Sequence, residues 1–179
     1  AEERFGSWMT QYGYANLITQ AKLLELGTVR HGGIDLRGRR FTTLAIPFEP
    51  FPDRRLLDLL AALTAGGGRA VWCGPPPLLE RNGADLLGEW ETLFGVKACE
   101  TADGWGRMAG GEEIHFEGEF ASVPSQIVLT DFLVDRVYPV TPGSEVAVIA
   151  RWRNECVGTV RRTSQGGVLA TLGFRPRDD

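Results

Sequence analysis

The sequence predicts an α/β domain of three layers around a mainly parallel sheet, with a β-rich C-terminal half. Three observations carry this expectation. Residues 41–48 (FTTLAIPF) and 70–73 (AVWC) are short apolar runs without polar alternation, the pattern of strands buried on both faces. Between them Leu56, Leu57, Leu59, Leu60 and Leu63 recur at helical spacing behind a potential N-cap at Asp53, and Gly66-Gly67-Gly68 stops the helix. Beyond residue 101 helical periodicity disappears, and short β-rich segments alternate with turn signals. A strand, a helix and a strand in one sheet close with a right-handed crossover and parallel pairing. The two apolar runs are therefore expected to be adjacent inner strands, with the helix over 53–65 packed on one face.

The remaining elements follow in order. Residues 1–13 are polar and aromatic, with Phe5, Trp8 and Tyr12. Residues 16–26 carry Leu17, Ile18, Ala21, Leu24 and Leu26 as an amphipathic helix closed by Gly27. A short strand is expected over 28–31, and Gly32-Gly33 and Arg37-Gly38-Arg39 mark loops around 34–36. After Pro75-Pro76-Pro77, residues 78–94 read as a helix with a soft spot at Asn82-Gly83, closed by Gly95, and a strand starts over 96–99. Gly104, Gly106, Gly110 and Gly111 make a loop. Strand segments are then expected over 113–120, 126–132, 136–140, 145–152, 156–163 and 168–174. No linker divides the two halves, so residues 1–179 read as one domain whose later strands extend the same sheet.

Composition excludes several function classes. The 179 residues suffice for one domain with a substantial core, and 43% hydrophobic and 23% charged residues are those of a soluble globular protein. A net charge of −4 and a pI near 5.3 leave no basic footprint for nucleic acid. No apolar run has the length of a membrane span, and AEERFGSW lacks the pattern of a signal peptide. Cys73, Cys99 and Cys156 are odd in number and without CxxC pairing, which argues against a disulfide framework and a zinc site. Buried thiols in a reducing, cytoplasmic compartment are the expectation. The absence of an initiator Met and the terminal RPRDD point to a segment excised from a longer chain.

The order of short motifs resembles a known family. An ELG turn after a helix leads to TLAIPFEPF, then LLDLLAALTAGGGRAVWCGP, a helix ending in LFGV, the strand EVAVIARW, and a Gly-Gly turn into VLATLGFRPRD. Over residues 14–177 this resembles the class I glutamine amidotransferase-like superfamily, with its flavodoxin-like arrangement. More closely it resembles the degenerate branch that forms the trimerisation domain of family 42 β-galactosidases. The resemblance implies a non-catalytic, glycosidase-associated module for interdomain packing or oligomerisation. Its expected partners are other domains of its parent chain, a second copy of itself, and carbohydrate; no cofactor is implied.

Active members of that superfamily place a cysteine on a sharp strand-to-helix turn, with a late histidine and an acidic partner. Cys73 stands at the matching place, but Gly74-Pro75-Pro76-Pro77 holds the next helix away, because each proline biases the preceding residue against helix. The only histidines are His31 and His115, and the C-terminal stretch has none. A cysteine-dependent hydrolase or amidotransferase centred on Cys73 is the alternative to a structural thiol. Glu49 lies just past the carboxyl end of the first strand, where open α/β sheets bind ligands; it is a candidate for a crevice shared with Cys73, or simply a loop or capping carboxylate. A saccharide-binding module in that crevice is the third reading. His31 and His115 have no ligand spacing, so no metal site is expected, and His115 reads as a solvent-facing strand residue. Gly66–Gly68 and Gly110-Gly111 match neither a dinucleotide fingerprint nor a P-loop. The five tryptophans are scattered as core anchors would be, and Trp105, in a glycine-rich loop, is the candidate for an exposed sugar platform.

Overall fold

The structure is a computed structural model that describes residues 16–77, 79–99, 106–108, 113–127 and 136–174. The chain opens with helix α1 (Gln20–Leu26) and a small antiparallel sheet of β1 (Thr28–Arg30), β2 (Gly33–Leu36) and β3 (Arg39–Phe41). Strand β4 (Thr43–Ile46), helix α2 (Arg54–Ala65) and strand β5 (Arg69–Cys73) form the expected parallel unit, with Thr43 opposite Arg69 and Ile46 opposite Trp72. Helix α3 (Leu87–Phe94) and β6 (Val96–Ala98) follow, then β7 (Arg107–Met108), β8 (Glu113–Phe116), β9 (Gln126–Ile127), β10 (Arg136–Val137) and β11 (Val140–Pro142). The chain closes with β12 (Val146–Trp152), β13 (Glu155–Arg162) and β14 (Val168–Leu172).

The main sheet has seven strands in the order β4-β5-β14-β13-β12-β8-β9. It corrects the expectation of a mainly parallel sheet. Only β4–β5 and β5–β14 pair in parallel, and the other pairings are antiparallel. The reason lies in the connections. A parallel neighbour needs a crossover of about a dozen residues or more, whereas β12, β13 and β14 follow one another through tight turns that can only reverse the chain. Arg153, at φ 53, makes the first of these turns.

Strand β4 is an edge strand rather than an inner one. Its Ile46 is buried, while Thr43 and Ala45 are exposed, so only one face is covered. The three-layer expectation is also not met among the described residues, because all three helices feed one core cluster. Leu23 of α1, the leucines of α2, and Trp90 and Phe94 of α3 join Trp72 of β5 there.

Two helices are shorter than their sequence patterns. Helix α1 begins at Gln20 because the Thr19 hydroxyl caps it, accepting from the Lys22 amide at 3.4 Å. The pattern over 78–94 yields helix only from Leu87. Asn82-Gly83 is a true turn: Gly83 has φ +91, and the Ala84 amide donates to the Asn82 side chain at 2.9 Å. Leu79 bridges back to Asp85, whose carboxylate then accepts from the Leu87 amide at 3.0 Å. Glycine 95, at φ +72, ends α3 in the left-handed conformation.

The core is built around fully buried aromatic rings. Trp72 meets Trp90 and Phe94 edge-on at centroid distances of 6.2 Å, and Trp90 lies 5.1 Å from Phe94. Such geometry adds about 0.5–1.5 kcal/mol per pair beyond area burial. Trp72 also donates its indole N–H to the Pro75 carbonyl at 2.8 Å, which fixes the loop leaving β5.

At the other end of β5 two glycine turns interlock. A Cβ on Gly32 would sit 2.3 Å from the Gly66 carbonyl oxygen, and one on Gly68 would sit 2.5 Å from the Gly32 carbonyl oxygen. The C-terminus of α2 is held from the far side as well: Thr163 donates its hydroxyl to the Thr64 carbonyl at 3.0 Å, and a Cβ on Gly167 would lie 1.9 Å from that same oxygen.

Two predictions follow from these constraints. Gly32→Ala should lower unfolding stability by clearly more than Gly38→Ala in chemical denaturation. Both glycines have positive φ, so both substitutions bear the left-handed penalty of about 1–2 kcal/mol, but Gly38 faces open space and Gly32 faces backbone. Asp53→Ala should cost about 1 kcal/mol, because Asp53 caps α2 by accepting from the Arg55 amide at 3.0 Å. The hydrogen bond from the Arg55 side chain holds the Asp53 carboxyl down at about 2 from its ordinary 3.8, so this contribution is complete above pH 3.8 and is lost as the pH falls towards 2.

Candidate functional site

Cys73 ends β5, opposite Leu172 of β14, and is 4% exposed. The chain then turns through Gly74, at φ +86, whose amide donates to the Leu172 carbonyl at 2.8 Å and to the Phe174 carbonyl at 3.1 Å. The strand is thus followed by a stapled loop rather than by a helix. The next helix among the described residues, α3, begins only at Leu87, fourteen residues beyond Cys73. Burial pushes the Cys73 thiol up to about 12 from its ordinary 9.0.

Neither histidine can reach it. His31 lies in the turn that packs on Gly66, at the opposite end of β5 from Cys73, which is about 13 Å away at ordinary strand rise. His115 sits on β8, four strands across the sheet from β5, or about 19 Å at ordinary strand spacing. It faces solvent, as its strand position implied, with Nδ1 3.1 Å from the Ser125 hydroxyl. Among the described residues no group of His, Cys, Asp and Glu is placed to hold a metal ion.

Glu49 occupies a different environment. It lies in the loop after β4 and lines a groove of about 540 Å³ with Thr19, Gln20 and Ala21 at the start of α1, Phe51 of its own loop, and Arg81. The loops after β4 and β5 touch where Phe48 packs against Gly74: a Cβ on Gly74 would meet the Phe48 ring at 3.1 Å. Cys73 is not among the residues that line this groove.

Of the tryptophans, Trp72, Trp90 and Trp152 are buried core residues; Trp8 and Trp105 lie outside the described residues, as does the stacking platform expected at Trp105. Sequence reasoning missed Gln20, Phe51 and Arg81. The sequence pattern puts Arg81 inside a helix over 78–94; the turn at Asn82-Gly83 instead leaves it beside the loop after β4, where its amide donates to the Pro52 carbonyl at 3.2 Å.

No protein-family model matches the chain, and no curated protein matches it. Solved structures do. The GH42 β-galactosidase Gan42B superposes with a TM-score of 0.57 at 14% identity, over 75% of this chain and 19% of that enzyme. The β-galactosidase of Bacillus circulans sp. alkalophilus gives 0.59 at 14% identity, over 75% and 20%. The chain shares its fold with a segment of GH42 β-galactosidases. It spans about a fifth of the length of these enzymes. A cytoplasmic protein from Salmonella typhimurium has a TM-score of 0.53 at 10% identity, over 92% of this chain and 67% of that one. No helix among the described residues is long and apolar enough to cross a membrane.

Alkylation by iodoacetamide, resolved by site with mass spectrometry, should label Cys73 slowly in the native protein at neutral pH. The rate should climb only as the pH approaches 12, while the partly exposed Cys99 labels first. The sign for stability is set by the same shift: the contribution of the buried neutral thiol is complete below 9.0, the unfolded value, and is lost as the pH rises towards 12.

Proposed function

We propose that this protein is a non-catalytic, glycosidase-associated module, a degenerate amidotransferase-like domain of the kind that trimerises β-galactosidases, and that it serves interdomain packing or oligomerisation. The observation that carries this reading is the fold likeness to a segment of about a fifth of GH42 β-galactosidase chains. A part of that size is an accessory unit rather than the whole catalyst. The buried Cys73, with a thiol pushed up to about 12, supports the non-catalytic side of the reading.

The packing side is supported by the distribution of apolar surface. Phe48 and Leu79 are each 43% exposed, and both stand on the loops that follow β4 and β5. Aromatic and aliphatic side chains gathered in this way are the usual centre of a protein contact. The outer edge of β4, which pairs with no other strand among the described residues, adjoins them.

Light scattering on the full-length gene product should give a mass that is a multiple of the protomer. Phe48→Glu combined with Leu79→Glu should reduce that mass or release the neighbouring domain, with circular dichroism unchanged. A strictly monomeric product whose domains separate freely in both forms would remove the packing role. Glutaminase and esterase assays should show no turnover, and any activity abolished by Cys73→Ala would instead support the hydrolase.

A further inference from the structure

The groove beside Glu49 has a chemistry that packing alone does not require. Its charges are the uncommitted ones of this region. Around it Arg55 pairs with Asp53, Arg54 with Glu89, and Lys22 with Glu25, while Glu80 accepts from the Arg54 amide at 3.0 Å. Glu49 and Arg81 line the same groove, and among the described residues their side chains make no hydrogen bond or ion pair. Gln20 is pinned by one atom only: its carbonyl oxygen accepts from the Asp53 amide at 2.9 Å, which leaves the amide nitrogen as a donor. Thr19 accepts through its hydroxyl from Lys22 and keeps its own O–H to give. Phe51 adds an aromatic ring that is 47% exposed.

Each simple ligand class meets an obstacle here. An inorganic anion suits Arg81 but is repelled by Glu49, and a cation meets the reverse. An apolar molecule would desolvate both charges without replacing their water. A sugar ring meets every requirement. Its hydroxyls both donate and accept, so they serve a carboxylate, a guanidinium fork and an amide together, and its C–H face lies against an aromatic ring. The volume, about 540 Å³, is within the range of small-ligand sites. The position, past the carboxyl end of β4 where it pairs in parallel with β5, is where open α/β sheets present ligands. We propose that this groove is a saccharide-binding site, with Glu49 accepting from ring hydroxyls, Arg81 and Gln20 donating to them, and Phe51 stacking. The site does not depend on the packing role.

The test is a titration of the isotope-labelled protein with galactose, mannose, lactose and cellobiose, and separately with glycine, followed by amide proton–nitrogen spectra. At least one sugar should shift the signals of residues 19–21, 49, 51 and 81 with a Kd of about 1 mM, as suits an open site. Glu49→Ala, Arg81→Ala and Phe51→Ala should each weaken binding about tenfold or more, equivalent to about 1.4 kcal/mol, with the rest of the spectrum unchanged. Should an alanine variant misfold, Glu49→Gln and Arg81→Lys serve in its place. Absence of shifts at about 100 mM of every sugar, shifts confined to other residues, or sugar binding indifferent to these substitutions overturns the proposal. Binding of glycine alone overturns it too, in favour of a zwitterion site.

Discussion

The fold depends on one close approach, that of the turn at Gly32 to the turn at Gly66–Gly68. There the backbone of the small β1–β2–β3 sheet lies directly on the backbone that carries α2 into β5, with no room for a side chain on either side. Three consequences meet at this point. Helix α2 must end, β5 must start at a fixed height, and β4 and β14 must both register on it at Arg69. The Arg69 amide donates to the Thr42 carbonyl at 2.8 Å, and the Val168 amide to the Gly68 carbonyl at 3.0 Å, so both neighbours are tied in at the same step. Everything at the far end of β5 inherits its position from this junction, including Cys73 and the loops after β4 and β5.

That inheritance explains why Cys73 resembles a nucleophile in sequence and not in space. A nucleophile elbow works because the strand ends in a strained turn directly under a helix N-terminus. Here the left-handed conformation lies one residue beyond Cys73, at Gly74, which bears it without strain. The chain then spends its next contacts on the core: Trp72 anchors to Pro75, and Gly74 anchors to Leu172 and Phe174. The same staples secure the end of β5, where the thiol is buried.

Much of the fold was legible in the sequence, and the reason differs by element. The β4–α2–β5 unit could be read because five leucines, an N-cap and a glycine stop agree with one another locally. The strands β12, β13 and β14 could be read from β-branched runs between turn residues. Their direction could not, since an apolar run of a few residues fits a parallel or an antiparallel neighbour equally well, and only the loop lengths distinguish them. The helix over 78–94 was misread because Leu78, Leu79, Leu86 and Leu87 keep an apolar rhythm through a segment whose conformation is set by two residues, Asn82 and Gly83. Glu49 could be singled out from its place after a strand. Its companions Gln20, Phe51 and Arg81 come from separate segments and carry no common motif, so only the tertiary structure assembles them.

The division of the sheet has a consequence for where function can sit. Between β12, β13 and β14 the antiparallel sheet is closed by short turns, which leave little chain to shape a surface. In the parallel part, the chain must leave each strand by a longer loop, and the loops after β4 and β5 emerge side by side. The groove lined by Glu49 and Arg81 lies there, and so do the exposed rings of Phe48 and Phe51. Three strands in parallel register are thus enough to set a groove at one end of a sheet whose other pairings are all antiparallel. A buried, unactivated Cys73 and a groove at this end are compatible, because a nucleophile elbow needs a strained residue and a helix, whereas the groove needs only the ends of loops held by a rigid strand.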